Sequence, residues 1–545
     1  MKSKFLLIFL FITNFSWSQI AEQQKIETWV KVWGFLKYNH PRVAAGVTDW
    51  DGVFVSHLQV LDGLRTEEEI NKAYLELLNS LGTVKLCDAC KTIVTQETSN
   101  NINYEELWKG TELSPLILKR LDFIRTNRSL DKNYYVQFYK DTQLPLFKNE
   151  RVVSFDPLPN KERRLLALAR FWNVINYFYP YKSLMTDKWD VVLPQMIPLF
   201  ISSTTDFGYQ YAIILMTRFL EDSNAFVASE LLKKRIGDYR PSFSIVKIED
   251  KWMVDRMEID SLSSVSRVLS GDEILAIDGK KIDELVEDKE GVISSSNERT
   301  KNNSLATTLL NGSSGNMEVT VLRNIDTLSF VTPRYLVTEF FPDSDYNENL
   351  PWKILDSSVG YIDVGRFLKR DQVPMQRDFK NLNNLIIDLR SYEVPSGNNL
   401  ADYLVLKNKV FAQMIEPNSK AVGSFIERKK MHENKNAKNS FTGNIYVLVN
   451  EKTRGQGEFL ALLLKGSDRV KLIGTSTAGA FGLITKLQLP GKVEVFFTGI
   501  GVSTADRLNI QKVGVEPDIE IYRNQTDILK GRDTLLEETL LLIKQ

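Results

Sequence analysis

Apolar residues return every third or fourth position in two amino-terminal stretches, LLALARFWNVINYF (165–178) and YQYAIILMTRFL (209–220), which predicts amphipathic helices. The first belongs to a segment that repeats an earlier one: WNVINYFYPYKSLMTDKWDVVL from Trp172 matches WGFLKYNHPRVAAGVTDWDGVF from Trp33. Trp33/Trp172, Tyr38/Tyr177, Pro41/Pro180, Trp50/Trp189, Asp51/Asp190, Ala73/Ala212 and Leu81/Leu220 all share an offset of 139 residues, so the match runs without a gap and predicts a duplicated helical unit. The copies are placed at 19–84 and 161–240, a proline ends the first helix of each, and the mixed, polar residues 85–160 read as a connector. The aromatic stripe is assigned to the core in preference to ligand stacking.

From 241 to 335 the pattern changes to short β-like runs (FSIVKI, WMVDRM, DEILAIDG, MEVTVL, LSFVTP). Within them SGDEILAIDGKKIDEL (270–285) resembles the strand, turn and short helix of a PDZ domain, with Asp278-Gly279 as the turn; a generic hairpin is the alternative. The region 336–545 alternates apolar strand runs (GYIDVG, NLIIDLR, IYVLVN, VKLIGT) with amphipathic segments, which predicts a largely parallel sheet covered on both faces. The charged run ERKKMHENKNAKN, inside the polar stretch 416–442, reads as a solvated loop.

A chain of 545 residues calls for three or four cores, and 43% hydrophobic with 25% charged residues is a globular composition. Lysine plus arginine equals aspartate plus glutamate at 69 each, so no global field favours nucleic acid. Lys2 and Lys4, an apolar run from Phe5 to Ile12, and Ser16 and Ser18 before a cut at Gln19 read as a signal peptide at 1–18, too short to span a membrane, and predict export. Later stretches carry no span. The only cysteines, Cys87 and Cys90, are expected to pair in an oxidising compartment; their setting is neither thioredoxin-like nor a four-ligand zinc site. No metal or cofactor is expected.

The phrases WGFLKYNHP, RFWNVINYFYPY, GDEILAIDG, NLIIDLR, TSTAGA, LPGKVEVFFTGIGV and VGVEPDIEI resemble the tail-specific, or carboxy-terminal-processing, serine peptidases, closest to their secreted branch with a tricorn-like core. That resemblance implies a multidomain α+β fold: duplicated helical region, PDZ-like β domain and a crotonase-like α/β protease core at 336–545. It also implies a serine nucleophile in a T-x-S-x-x-E phrase at a helix start. Here the phrase is Thr453-Arg454-Gly455-Gln456-Gly457-Glu458, and glycine has no side chain with which to form an acyl-enzyme. The family's histidine base, in a D-S/T-H-A phrase, falls on Asn224 in Asp222-Ser223-Asn224-Ala225, and the lysine base of the other branch falls on Ala480. His40, His57 and His432 match no catalytic position, and Ser503 to Arg507 replace a further turn of the family pattern.

Losing a nucleophile or base costs a triad about a millionfold in turnover. The residues therefore predict a peptidase homologue without peptidase chemistry that still binds peptide or protein tails. Backbone N–H groups of Gln456 and Gly457, with Gly397 by analogy to the family's oxyanion loop, would receive a carboxylate. The alternatives are an active peptidase using Ser223, Ser476 or Ser503, and a structural partner of another protein chain that docks through the helical repeats.

Overall fold

The computed structural model of the protein describes residues 22–91, 98–150, 156–258, 265–336, 350–391, 397–434 and 437–545. The expected signal peptide at 1–18 lies outside them.

The amino-terminal third is helical. Helices occupy 22–39, Trp50–Gly63 and Glu67–Ser80, then Lys161–Phe178, Trp189–Ser202 and Asp206–Arg218. Threonine hydroxyls open the third helix of each set: Thr66 accepts from the N–H of Glu69, and Thr205 from that of Gly208. Trp33 and Trp50 each donate an indole N–H to the other's carbonyl (2.9 and 3.0 Å), and Trp172 and Trp189 do the same (3.1 and 2.9 Å). All four are buried, each satisfying its polar edge inside an apolar core. Residues of the stretch 85–160 close this same core: Ile117 and Leu121 from the helix Pro115–Thr126, with Tyr135 and Phe147 beyond it. Cys87 and Cys90 are joined in a disulfide.

His57 sits buried between Trp29 and Tyr74, with ring centroids 4.4 and 5.3 Å away, and His40 is buried at the foot of the first helix. Burial lowers both imidazoles to about 4, and Arg42 adds to the effect on His40. The unfolded chain takes up these protons near the ordinary value of 6.5 while the native state refuses them, so stability is full above pH 6.5 and falls as pH drops toward 4. Between pH 7 and pH 5 each imidazole should cost about 2 kcal/mol. Urea unfolding followed by tryptophan fluorescence at the two pH values should show the loss, and His57→Phe should remove about half of it.

Residues 239–336 form a seven-stranded antiparallel sheet in the order Tyr239–Pro241, Asp326–Leu336, Asn316–Arg323, Glu273–Ile277, Lys251–Met257, Phe243–Ile248, with Lys280–Lys281 beside Glu273–Ile277. Ile277 pairs with Lys280 across a two-residue turn in which Asp278 and Gly279 both have positive φ (50° and 77°), the geometry that matches strand twist in a tight hairpin. The helix Glu298–Leu310 packs beside Phe243–Ile248, the strand at the sheet's edge.

The carboxy-terminal core has two sheets. The first runs Trp352–Asp356, Val359–Asp363, Asn384–Asp388, Asn444–Val449, Val470–Gly474, Ile519–Glu520, parallel apart from its first pair. Its residues alternate between two apolar layers: Leu385, Ile387, Val447 and Leu472 face the helix Gln456–Leu464, while Ile386, Leu448 and Ile473 face the helix Thr534–Ile543. Gly474 (φ 130°) lies so close to the neighbouring strand that an added Cβ would come within 2.0 Å of the Val449 carbonyl oxygen. The second sheet is antiparallel: Thr98–Asn100, Ser424–His432, Lys409–Pro417, Val493–Thr504, Gly482–Leu489, with Phe226–Ala228 also on Val493–Thr504. Two strands that follow helical segments, 98–100 and 226–228, thus complete a core sheet.

Only part of the charged run 427–439 is the loop expected from its composition, since its first six residues belong to a strand. Ser424–His432 is a strand paired along its length with Lys409–Pro417. Its charges stand on the solvent side or pair with neighbours, Arg428 with Glu416 on the adjacent strand at 2.8 Å and Glu427 with Arg507 in the turn after Val493–Thr504 at 3.1 Å, so polarity on both faces hid the period of two. No helix among the described residues is long and apolar enough to cross a membrane.

Candidate active-site cleft

Three crossovers leave the carboxyl ends of the parallel strands at 388, 449 and 474 and converge, the place where open α/β sheets hold ligands. The crossover after Asn444–Val449 carries the T-x-x-x-x-E phrase. Buried Thr453 fixes its turn: its hydroxyl donates to the Leu389 carbonyl (2.8 Å) and accepts from the Asn450 N–H (3.1 Å), while the Thr453 carbonyl accepts from Ala478 N–H (3.0 Å). Gly455 then caps the helix Gln456–Leu464 with φ 54° and ψ −109°, a conformation costly for residues with a Cβ. An added Cβ there would meet nothing within 4 Å. The position expected to hold a nucleophile is therefore open in space and has no side chain.

Glu458 organises the helix start from beneath. Fully buried, its carboxylate accepts from Thr477 Oγ1 (2.7 Å) and from the N–H groups of Gly479 (2.8 Å), Gly455 (3.2 Å) and Ala480 (3.3 Å). Burial pushes its pKa up and these four donors pull it back. One carboxylate thus ties the nucleophile position to the 477–480 loop, where Ala480 presents a buried methyl at the lysine-base position.

The base position reaches the same loop from the helical region. Asn224 is buried, and its Nδ2 donates to the Ala480 carbonyl (2.9 Å) and to Thr498 Oγ1 (3.1 Å). Its Oδ1 accepts from Arg454 Nη2 at 2.8 Å, and the same nitrogen donates to the Ser223 carbonyl at 2.6 Å. Both ends of the amide are occupied, and the cation one residue before Gly455 ties that turn to Asn224. Asp222, also buried, accepts from the N–H groups of Asn224 (2.9 Å) and Thr498 (3.3 Å); burial raises its pKa, while Thr498, Asn224 and Arg454 oppose that rise. Tyr181 anchors this arrangement to the core, its hydroxyl donating to the Phe481 carbonyl (3.0 Å) and accepting from Val502 N–H (2.7 Å).

The remaining sequence candidates separate. Ser223 is held by Ser296 and Thr300: its hydroxyl donates to Thr300 Oγ1 (3.2 Å) and accepts from Ser296 N–H (2.9 Å). Ser503 is buried in the strand Val493–Thr504, and Ser476 sits half-buried in the 475–480 loop. His40 and His57 belong to the helical core and His432 lies on the strand Ser424–His432, 3.1 Å from Asp402, so none reaches these serines. Of the three expected anion donors, Gln456, Gly457 and Gly397, Gly457 gives its N–H to the Arg454 carbonyl (2.9 Å), so that group is already engaged. Gly397 opens the helix Gly397–Leu404, and the turn before it at 392–396 lies outside the described residues. No group of residues able to hold a metal ion occurs among the described residues. Arg454 and the acceptor role of Glu458 were missed by sequence reasoning; the only available signal was a cation inside the T-x-x-x-x-E phrase.

Residues 358–521, which hold the parallel strands Val359–Asp363 to Ile519–Glu520 and the 453–458 and 475–480 parts of this cleft, match the family model described as Peptidase family S41. The fold is similar to the solved structure of mature CPAF complexed with lactacystin (TM-score 0.54, 15% identity, 71% of this chain and 98% of that one) and to a crystal structure of mature CPAF (TM-score 0.52, 14% identity, 68% and 94%). An uncharacterised protein of Chlamydia muridarum is 34% identical over 109 residues, 19% of this chain, and the match spans 18% of that relative's length. The stretch 358–521 of this multidomain α+β chain is therefore a peptidase family S41 domain.

Proposed function

We propose that the protein is an exported pseudopeptidase: it binds extended peptides or protein carboxy-terminal tails and does not cleave them. One observation carries the reading. Position 455 has room for a nucleophile and has no side chain, while the side chain at the base position spends both ends of its amide on Ala480, Thr498 and Arg454. Acyl transfer needs a group that attacks and a group that takes its proton. Neither is present here, whereas the turn, the helix start and the buried carboxylate beneath them are retained.

The region 241–335 is read as a PDZ-like domain. In support, the edge strand Phe243–Ile248 lies beside the helix Glu298–Leu310, an arrangement in which a peptide can add a strand to a sheet and run along a helix. The segments 19–84 and 161–240 are read as copies of one helical unit, joined by 85–160 and followed by the protease-like core at 336–545. The short cationic and apolar leader supports export.

Isothermal titration calorimetry of the mature chain tests the binding half. Peptides with a free carboxy terminus should give saturable heat, and their carboxy-terminal amides should bind at least about tenfold more weakly, because the terminal charge is the recognised feature. The absence of heat from a diverse peptide panel would remove peptide binding from the account.

A further inference from the structure

The first helices of the two helical segments touch each other through equivalent residues, all the way along. At the 139-residue offset the partner of Glu22 is Lys161, and the two form an ion pair at 2.8 Å. Ile26 and its equivalent Leu165 line one cavity with them. Val30 and its equivalent Ala169 have carbonyls that both accept, at 2.9 Å, from the same Asn173 Nδ2. Asn173 is itself the equivalent of Gly34 and packs directly on it: an added Cβ at 34 would fall 1.8 Å from Asn173 Oδ1. One turn further, Tyr38 meets its equivalent Tyr177 edge-on, with ring centroids 5.1 Å apart.

Residues 22, 26, 30, 34 and 38 are one i, i+4 row of a helix, and 161, 165, 169, 173 and 177 are the same row of the other. A residue can meet its own equivalent only close to a two-fold axis. Five such meetings in sequence place that axis along the helix pair, with both helices running in the same direction. Behind each helix the tryptophan pairs and the threonine caps keep the same offset.

We propose that residues 22–81 and 161–220 form an intramolecular dimer: two copies of one unit packed face to face about a pseudo-two-fold axis, each the partner of the other. The proposal rests on reading the segments as a duplication. Its consequence is that the self-complementary face of the unit is consumed inside the chain, so a docking protein would have to use a different surface of the helical region. The copies also differ in their buried charges. Buried Lys37 and Arg170 pair with Glu150 from the connector (2.6 and 3.1 Å), and Arg170 also pairs with Asp51, whereas the equivalents of Lys37 and Arg170 are Asn176 and Lys31. A charge supplied by the connector thus distinguishes one copy from the other.

The axis makes a prediction that contact alone does not. In the full-length mature chain, Gly34→Asn should lower the unfolding midpoint by roughly 5 °C or more, because the new side chain collides with Asn173. Asn173→Gly should lower it as well, through loss of the bond to Val30. The swap of both together should recover to within roughly 2 °C of the parent, since the asparagine introduced at position 34 would then donate to the Ala169 and Val30 carbonyls in the two-fold-related geometry. Tryptophan fluorescence reads mainly this transition, because Trp29, Trp33, Trp50, Trp108, Trp172 and Trp189 lie in or against this core while only Trp252 and Trp352, among the described residues, lie in the others. If Gly34→Asn does not fold, recovery of soluble protein in the swap is the readout. Glu22→Lys, Lys161→Glu and their combination repeat the test at the solvent end of the row. A swap no better than the worse single variant at 34/173, or strictly additive losses at 22/161, would overturn the two-fold arrangement. Peptide affinity is not measured in either set, so the outcome is separate from that of the pseudopeptidase reading.

Discussion

Gly455→Ser combined with Asn224→His is expected to gain labelling by a fluorophosphonate at least about 100-fold above the parent protein, with each single variant near background. The open space around residue 455 leaves room for a hydroxyl, and the cost of a side chain at φ 54° is of the order of 1–3 kcal/mol, which the fixed turn at Thr453 and Glu458 can absorb. An imidazole at 224 would lie beside the Arg454 guanidinium now bonded to Asn224, a neighbour that holds it neutral and able to accept a proton. Labelling of Gly455→Ser alone would mean that a different base already serves the cleft. Labelling of the parent would mean that a nucleophile has been overlooked.

Glu458→Gln should destabilise the core by about 3 kcal/mol, nearly as much as Glu458→Ala. The carboxylate accepts from four donors and donates to none. Glutamine fills the same volume yet turns an amide NH2 toward some of those donors, so the loss measures the missing acceptor, not a cavity. Urea unfolding followed by circular dichroism checks this, and a Gln variant as stable as the parent would show that the helix start is held by something else. Because the carboxylate also positions Gly455 and Ala480, both variants should weaken peptide binding in the calorimeter.

Much of this was legible in the residues. The helical segments announced themselves through a 3.6-residue apolar period, tryptophans at fixed spacing and a proline after each first helix, all of them local signals. Asp278-Gly279 marked its hairpin because few other residues tolerate two successive positive φ values. Gly455 drew notice because Thr453 and Glu458 bracket it without a gap, and each of those two proves to have a structural reason to be there. Long-range pairing was not legible. That Phe226–Ala228 would extend a sheet through Glu494–Phe496, far later in the chain, or that Ser424–His432 would be a strand despite its charges, depends on partners remote in sequence. Arg454 escaped for the same reason: its role exists only once Asn224 has been folded beside it.

The central claim is that the cleft has neither an attacking group nor a base. Its most direct test is to incubate the purified mature protein with a diverse peptide mixture and search for new termini by mass spectrometry. The account predicts no termini beyond those of a protein-free control, at any pH from about 5 to 9. Reproducible cleavage that disappears with Ser223→Ala, Ser476→Ala or Ser503→Ala would contradict it.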